Sequence, residues 1–227
     1  MRTIAIYVEG GGGTAQQKAE LRIGFDQLLN AQTQAARAKR LRWKLVFSGS
    51  RDDAYRNFIN AVNRADAVTL CVLLVDSEEG LTPESPVAAD ETPAHARQRK
   101  LSDARIRRDH VVGRDGWDLR DISPECVHLM VRCMETWIVA DSQQLKVDYG
   151  KNFHDKCLPT RANLEDEPKD DLSAKLARAT KDTTKREYTK IKHAGKLLGQ
   201  IHADHITARC PRFATFTRWL GEKIDEA

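Results

Sequence analysis

Among the 227 residues are five cysteines, Cys71, Cys126, Cys133, Cys157 and Cys210, and no two of them form a Cys-x-x-Cys pair. The odd number and wide spacing exclude both a disulfide framework and a paired-cysteine metal knuckle. Cys71 and Cys133 lie inside apolar runs, where reduced core thiols are expected. No apolar stretch approaches the length that spans a bilayer. The opening apolar run ends at Glu9, too short for a signal peptide, so a reducing, cytoplasmic location without membrane attachment is expected. The glycines at 10–13 are not followed by the Lys-Ser or Lys-Thr of a phosphate-binding P-loop, which argues against ATP hydrolysis by this chain. Internal repeats are absent, which excludes a solenoid. Charge of one sign is also missing: the net charge is +4 with 31% charged residues, mixed along most of the chain. That balance permits nucleic-acid binding without demanding it.

The first thirteen residues contain the strongest local signal. Ile4-Ala5-Ile6-Tyr7-Val8 runs into Glu9 and then Gly10-Gly11-Gly12-Gly13. Such a run predicts a buried strand entering a tight loop. An acid at the carboxyl end of a first strand stands where open α/β sheets place their ligands. Glycine lets a backbone approach an anion closely. A flexible turn beside a solvated Glu explains the same residues, and the rest of the chain must choose.

Thr14 is a suitable N-cap for one helix reaching about Arg40, and Leu41–Phe47 reads as a second strand. Ala54, Tyr55, Phe58, Ile59 and Val62 mark an amphipathic helix from Asp52 to Ala65, with Arg51, Arg56 and Arg64 on a solvated face. Ala67–Val75 is the most apolar run, continuous enough to be buried on both faces as a central parallel strand, and it ends in Asp76-Ser77-Glu78. Strand, helix, strand, helix, strand is the signature of an α/β sheet built from crossover units. Residues 77–123 read as a long, partly mobile insertion. Its basic segment, with Arg105, Arg107 and Arg108, is either a phosphate-contacting loop or a solvated helix. Cys126–Val131 predicts another strand, leading into Met134-Glu135-Thr136-Trp137. Helical spacing puts Glu135 and Asp141 on different faces, so Glu135 faces the sheet's end while Asp141 is a packing or capping acid. We therefore expect an α/β core over 1–150 and a mainly helical extension over 151–227 packed on it.

Glu9, Asp76, Glu78 and Glu135 all follow predicted strands, so parallel strands would bring them to one edge. Clustered carboxylates repel unless a cation or protons offset them, and hard oxygen donors suit Mg²⁺ or Mn²⁺. Elsewhere, His202 and His205 stand at i, i+3, a spacing able to hold zinc. No cysteine or carboxylate set accompanies them in the sequence, which favours a surface or helix-end role.

The order strand–Glu–Gly followed by strand–Asp-x-acid resembles the Toprim domain of topoisomerases, primases and overcoming-lysogenization-defect nucleases. Here the acidic pair is Asp76-x-Glu78 instead of Asp-x-Asp, and four glycines follow Glu9 where one is usual. More of the chain is similar to domain-of-unknown-function family 4276, a bacterial Toprim-like family. The matching stretches are Val8-Glu9-Gly10, Leu74-Val75-Asp76, His128–Trp137 with Ala140-Asp141, Lys190–Ala194, and Cys210-Pro211-Arg212-Phe213. The resemblance implies a Toprim-like, Rossmann-like α/β fold with a mainly parallel sheet flanked by helices, acting as an Mg²⁺- or Mn²⁺-dependent nuclease on DNA or RNA within phage defence. Glu9, Asp76 and Glu78 would hold the metal and Glu135 would complete the shell. Lys192 would stabilise the reacting phosphate, while Gly10, Gly11, Arg105, Arg107 and Arg108 would contact nucleic acid. A partner ATPase of the AAA or ABC kind is expected, and a homo-oligomer is open. A non-catalytic subunit that binds nucleic acid or nucleotide and regulates that ATPase is the competing expectation.

Overall fold

The computed structural model describes residues 2–66, 68–88 and 90–227; Ala67, the first residue of the longest apolar run, lies outside them. Four strands, β1 (Thr3–Val8), β2 (Arg42–Phe47), β3 (Thr69–Asp76) and β4 (Val127–Met130), form a sheet in the order β2-β1-β3-β4. Every pairing is parallel, with Val8 opposite both Phe47 and Leu74, and Asp76 opposite Met130. All four carboxyl ends therefore share one edge. This is the α/β, Rossmann-like layout with helices flanking a parallel sheet.

Alternation along β3 explains its unbroken hydrophobicity. Cys71, Leu73 and Val75 point into one core with Ala54, Phe58, Val111 and Trp117. Val72 and Leu74 point into the other, larger core with Phe25, Trp137, Phe213 and Phe216. Period-2 geometry with both faces covered requires apolar residues at every position. By the same alternation Asp76 falls on the larger core's face.

The smaller core is closed by α3 (Arg51–Arg64) and α4 (Pro93–Asp115). The larger is closed by α1 (Ala15–Leu28), α2 (Asn30–Ala38), α5 (Glu135–Ala140), α6 (Ser142–Tyr149), α7 (Lys169–Thr180), α8 (Lys190–Leu198), α9 (Ala203–Arg209) and α10 (Pro211–Asp225). Leu172, Leu176, Leu197, Phe213 and Phe216, all beyond residue 150, sit in the same cluster as Ile4, Ile6 and Val8. The C-terminal helices thus complete the sheet's own core.

Thr14 caps α1 with a reciprocal capping box to Gln17, a direct consequence of the Thr-x-x-Gln spacing. The single helix expected to Arg40 is two, broken at Leu29, which is fully buried. Within the expected mobile insertion lies the 23-residue α4, started by Thr92 with Pro93 behind it and stopped by left-handed Gly116. Helices α1 and α8 cross at Gly24 and Gly195: a Cβ on Gly24 would lie 2.1 Å from the Gly195 carbonyl oxygen. Only two glycines permit that approach, and it sets where α8 begins over the sheet edge. Among the described residues no helix is long and apolar enough to cross a membrane.

Candidate functional site

The carboxyl edge of the sheet gathers the predicted acids. Glu9 follows β1, and its Oε2 accepts the Asp76 backbone N–H at 3.1 Å, tying the ends of neighbouring strands. Asp76 closes β3 with its side chain 1% exposed. Its Oδ1 accepts Met134 N–H at 2.9 Å, and Lys190 Nζ donates to its Oδ2 at 2.9 Å. One carboxylate oxygen from each of Glu9, Asp76 and Glu78 lies within 4.8 Å of the others.

Glu78 is held by unusual backbone. Beyond the strand ends, Ser77 N–H reaches Met130 O at 2.9 Å and Glu78 N–H reaches Arg132 O at 2.9 Å. Arg132 N–H returns to Ser77 Oγ at 2.7 Å. Glu78 and Arg132 both adopt left-handed conformations, with φ of 67° and 64°. Such conformations in non-glycine residues cost of order 1 kcal/mol or more and persist where the surroundings enforce them. The extended pairing of β3 with the chain after β4 is what aims the Glu78 carboxylate.

Glu135, at the start of α5, joins the same cluster. Tyr188 donates to its Oε1 at 3.0 Å, and Lys190 Nζ stands 3.8 Å from its Oε2. Four carboxylates therefore meet three cations. Arg51 pairs with Glu9 at 3.3 Å, Lys190 with Asp76, and Lys169 with Glu78. Negative charge is in excess. Burial pushes the Asp76 carboxyl up to about 6, against the pull of Lys190 and with the help of Glu9 and Glu135. Burial works against charge on Lys190, yet Asp76 and Glu135 hold its ammonium protonated and raise its pKa. The donor set is all hard oxygen, and the excess charge is of the sign a divalent cation relieves, so the residues fit Mg²⁺ or Mn²⁺.

Since a cation must displace the Asp76 proton, its binding should be pH-dependent. Affinity is expected to be constant above roughly pH 7 and to fall as the pH drops through about 6, approaching tenfold per unit for one competing proton. Calorimetric Mn²⁺ titrations between pH 5 and 8 measure this; a flat profile contradicts it.

Three arginines and one lysine of the expected set stand elsewhere. Arg107 is buried in the smaller layer, donating to Val127 O at 2.9 Å, with Glu84 4.0 Å away. Burial, with Arg212 nearby, lowers its pKa to about 10. It braces α4 against β4 and is not free for a phosphate. Arg108 pairs with Asp109 at 2.8 Å, and Arg105 and Lys192 are exposed. The lysine on Asp76 and Glu135 is Lys190, two residues before Lys192.

Arg51, expected on a solvated face, has its side chain only 13% exposed. Its guanidinium grips Asp115 by Nε and Nη2, the latter at 2.7 Å, donates to Glu9 and the Asp76 carbonyl, and lies over the Trp117 ring. The signal for it was its place one residue past Ser50, the N-cap of α3, right after β2.

Beside the acids is a cavity of about 250 Å³. One wall is Gly10–Gly12, all with positive φ; the other side is Leu21, Met134, Ile191 and Lys190. Gly10 and Gly49 exchange both backbone hydrogen bonds at 2.9 Å, pinning the loop to the end of β2. A side chain on Gly11 would meet Lys18 at 2.9 Å.

A family model described as Domain of unknown function (DUF4276) matches residues 8–221. The chain belongs to that family. Glu9, Asp76, Glu78, Glu135 and Lys190 all fall inside the matched stretch, as does the whole glycine loop. No curated protein and no solved structure matches the chain.

Proposed function

We propose that this member of the DUF4276 family is a Toprim-type, Mg²⁺- or Mn²⁺-dependent nuclease. The observation that carries the proposal is the meeting of Glu9, Asp76 and Glu78 oxygens within 4.8 Å at the carboxyl edge of a parallel sheet. Those three residues would hold the cation, which when bound neutralises phosphoryl charge and lowers the pKa of a bound water. Arg51, itself gripped by Asp115, orients Glu9 through Oε2, leaving the second Glu9 oxygen either for the cation or, in the alternative role, to accept a proton from water. Lys190 carries positive charge into the pocket wall, where it can meet a phosphate oxygen as negative charge develops. Tyr188 fixes Glu135 as an acceptor facing Lys190. The glycine wall admits backbone-close contact with a phosphate, and the apolar wall suits the sugar or base next to it. The Toprim resemblance extends the proposal to bacterial phage defence beside an ATPase of the AAA or ABC kind.

A second reading draws on one specific observation. Glu9, Asp76 and Glu78 each already have a cationic partner, in Arg51, Lys190 and Lys169. Carboxylates already paired to the chain's own cations suit a non-catalytic subunit that binds nucleic acid or nucleotide and regulates its ATPase.

Incubation of the purified chain with supercoiled plasmid, single-stranded DNA and RNA in Mg²⁺ or Mn²⁺ separates the two. Cleavage is expected, abolished by chelator and reduced more than about 100-fold in Glu9→Gln, beyond what outer partners of a metal ligand contribute. The amide oxygen of Gln can still accept the Asp76 N–H, so the fold should persist. Absence of both cleavage and cation uptake by calorimetry sinks the nuclease; nucleic-acid or nucleotide binding by the same preparation then supports the regulatory subunit.

A further inference from the structure

The two histidines that lacked an acidic companion in the sequence have one in the fold. Asp141, between α5 and α6, has a fully buried side chain. It caps α6 by accepting Gln144 N–H at 3.0 Å on Oδ1, and its Oδ2 accepts His202 N–H at 2.9 Å. From the solvent side, His202 Nδ1 comes within 2.7 Å of Oδ2 and His205 Nδ1 within 2.9 Å of Oδ1. The imidazoles are 65% and 45% exposed. One ring nitrogen from each histidine and one Asp141 oxygen lie within 4.8 Å of one another.

We propose that Asp141, His202 and His205 form a second cation site, for a borderline transition metal of the Zn²⁺ class. The two clusters share no residue, and this inference stands independently of the nuclease reading. Two imidazole nitrogens and one carboxylate select Zn²⁺, Ni²⁺ or Co²⁺ over Mg²⁺, whereas the all-oxygen set at Glu9 has the opposite preference. Bonds of 2.0–2.2 Å in tetrahedral geometry need donors about 3.3 Å apart. Each imidazole Nδ1 is already closer than that to its own Asp141 oxygen, and one oxygen and one nitrogen from each ring lie within 4.8 Å of one another. Modest rotation of exposed rings meets the requirement. The backbone N–H groups of Gln144 and His202 fix the carboxylate's direction, as outer hydrogen bonds commonly do for metal ligands. Two of the carboxylate's four acceptor positions are held by those N–H groups, so the imidazoles occupy the remaining two. One ion would replace both imidazole contacts, with each Nδ1 deprotonated.

Three protein ligands leave a position for water. None of them lines the cavity beside Glu9, so the site acts as a clamp. It would join the α5–α6 junction to the start of α9 across 61 residues of sequence. Metal should then stabilise the fold by binding only the native arrangement.

The test is calorimetric Zn²⁺ titration of chelator-stripped chain, in wild type, Glu9→Gln and the double variant His202→Ala/His205→Ala. One Zn²⁺ is expected per chain at this site, unchanged by Glu9→Gln and weakened at least about tenfold in the double variant. Both replaced side chains are exposed, so the double variant should fold. At hundredfold excess over Kd, Zn²⁺ should raise the wild-type Tm by on the order of 5–10 °C and leave the double variant unmoved. Co²⁺ should give visible bands in wild type that the double variant lacks. Equal Zn²⁺ affinity in the double variant, or loss of all Zn²⁺ binding in Glu9→Gln, overturns the proposal.

Discussion

Asp76→Asn is expected to lower metal-dependent cleavage by more than about 100-fold and to remove cation uptake at the sheet edge, while leaving the chain folded. The asymmetry follows from what each carboxylate oxygen does. Oδ1 accepts the Met134 N–H at 2.9 Å, a bond that an amide oxygen can keep. Oδ2 faces Lys190 and supplies the charge shared with Glu9 and Glu78. The amide –NH₂ placed there would face an ammonium, so Lys190, itself 40% exposed, should swing toward Glu135, now 3.8 Å away. A direct ligand lost exceeds the 10–100-fold that outer partners carry. Burial itself disfavours the ionised form of Asp76, so the neutral amide removes a desolvation cost along with the pair. Plasmid cleavage, Mn²⁺ calorimetry and a thermal melt measured on one preparation give the three readouts. Undiminished cleavage by a folded Asp76→Asn chain would exclude this carboxylate from the reaction.

Trp137→Ala is expected to destabilise the fold by about 3–5 kcal/mol, the range for emptying a large aromatic site. Trp137 is 1% exposed on α5, in the larger core. Its ring meets Phe213 of α10 at 4.8 Å and Phe25 of α1 at 6.1 Å. The indole thus joins the first helix of the chain to the last. Those neighbours are fixed by the sheet and by the α1–α8 crossing, so collapse into the vacancy is limited and the cost belongs at the upper end. A loss of this size is a large part of a typical 5–15 kcal/mol stability. Urea unfolding followed by circular dichroism should show a lower midpoint at unchanged slope. A midpoint within error of wild type would show that the core repacks. Glu135 lies two residues before Trp137, so cation binding should weaken as well, here together with the fold, whereas Glu9→Gln should weaken it in a chain whose core is intact.

Much of this was legible in residue order because strands and their ends are local features. The run through Val75 could only be a strand covered on both faces, and its cores on either side show that. Acids directly after β1 and β3 must reach one edge if the strands are parallel, since the distance from strand end to side chain is a residue or two. Glu135 and Asp141 were assigned different surroundings from helical spacing, and they face Lys190 and His202 respectively.

What failed to show was phase and docking. The segment Lys185–His193 offers several cations, and a helix advances about 100° per residue, so Lys192 points about 200° away from Lys190. Which one meets Asp76 depends on how α8 lies on α1, and the Gly24–Gly195 contact decides it. Arg107 belongs to a basic segment, yet it shares a face of α4 with buried Asp103, Ala104 and Val111. That stripe, spaced at three and four residues, was the available signal for burial. Arg51 was misplaced because its role depends on Asp115 and Trp117, which approach only when α4 packs beside α3. Asp141 and His202 are 61 residues apart, beyond any spacing rule.

The sequence by itself determined an α/β chain with Glu9, Asp76 and Glu78 at the ends of parallel strands, because alternation and strand termini are properties of neighbouring residues. Only the tertiary structure decided which cations answer those acids, that the C-terminal helices complete the core, and that Asp141 meets two histidines. Those outcomes depend on helix phase and on contacts between segments far apart in the chain, which no local pattern encodes.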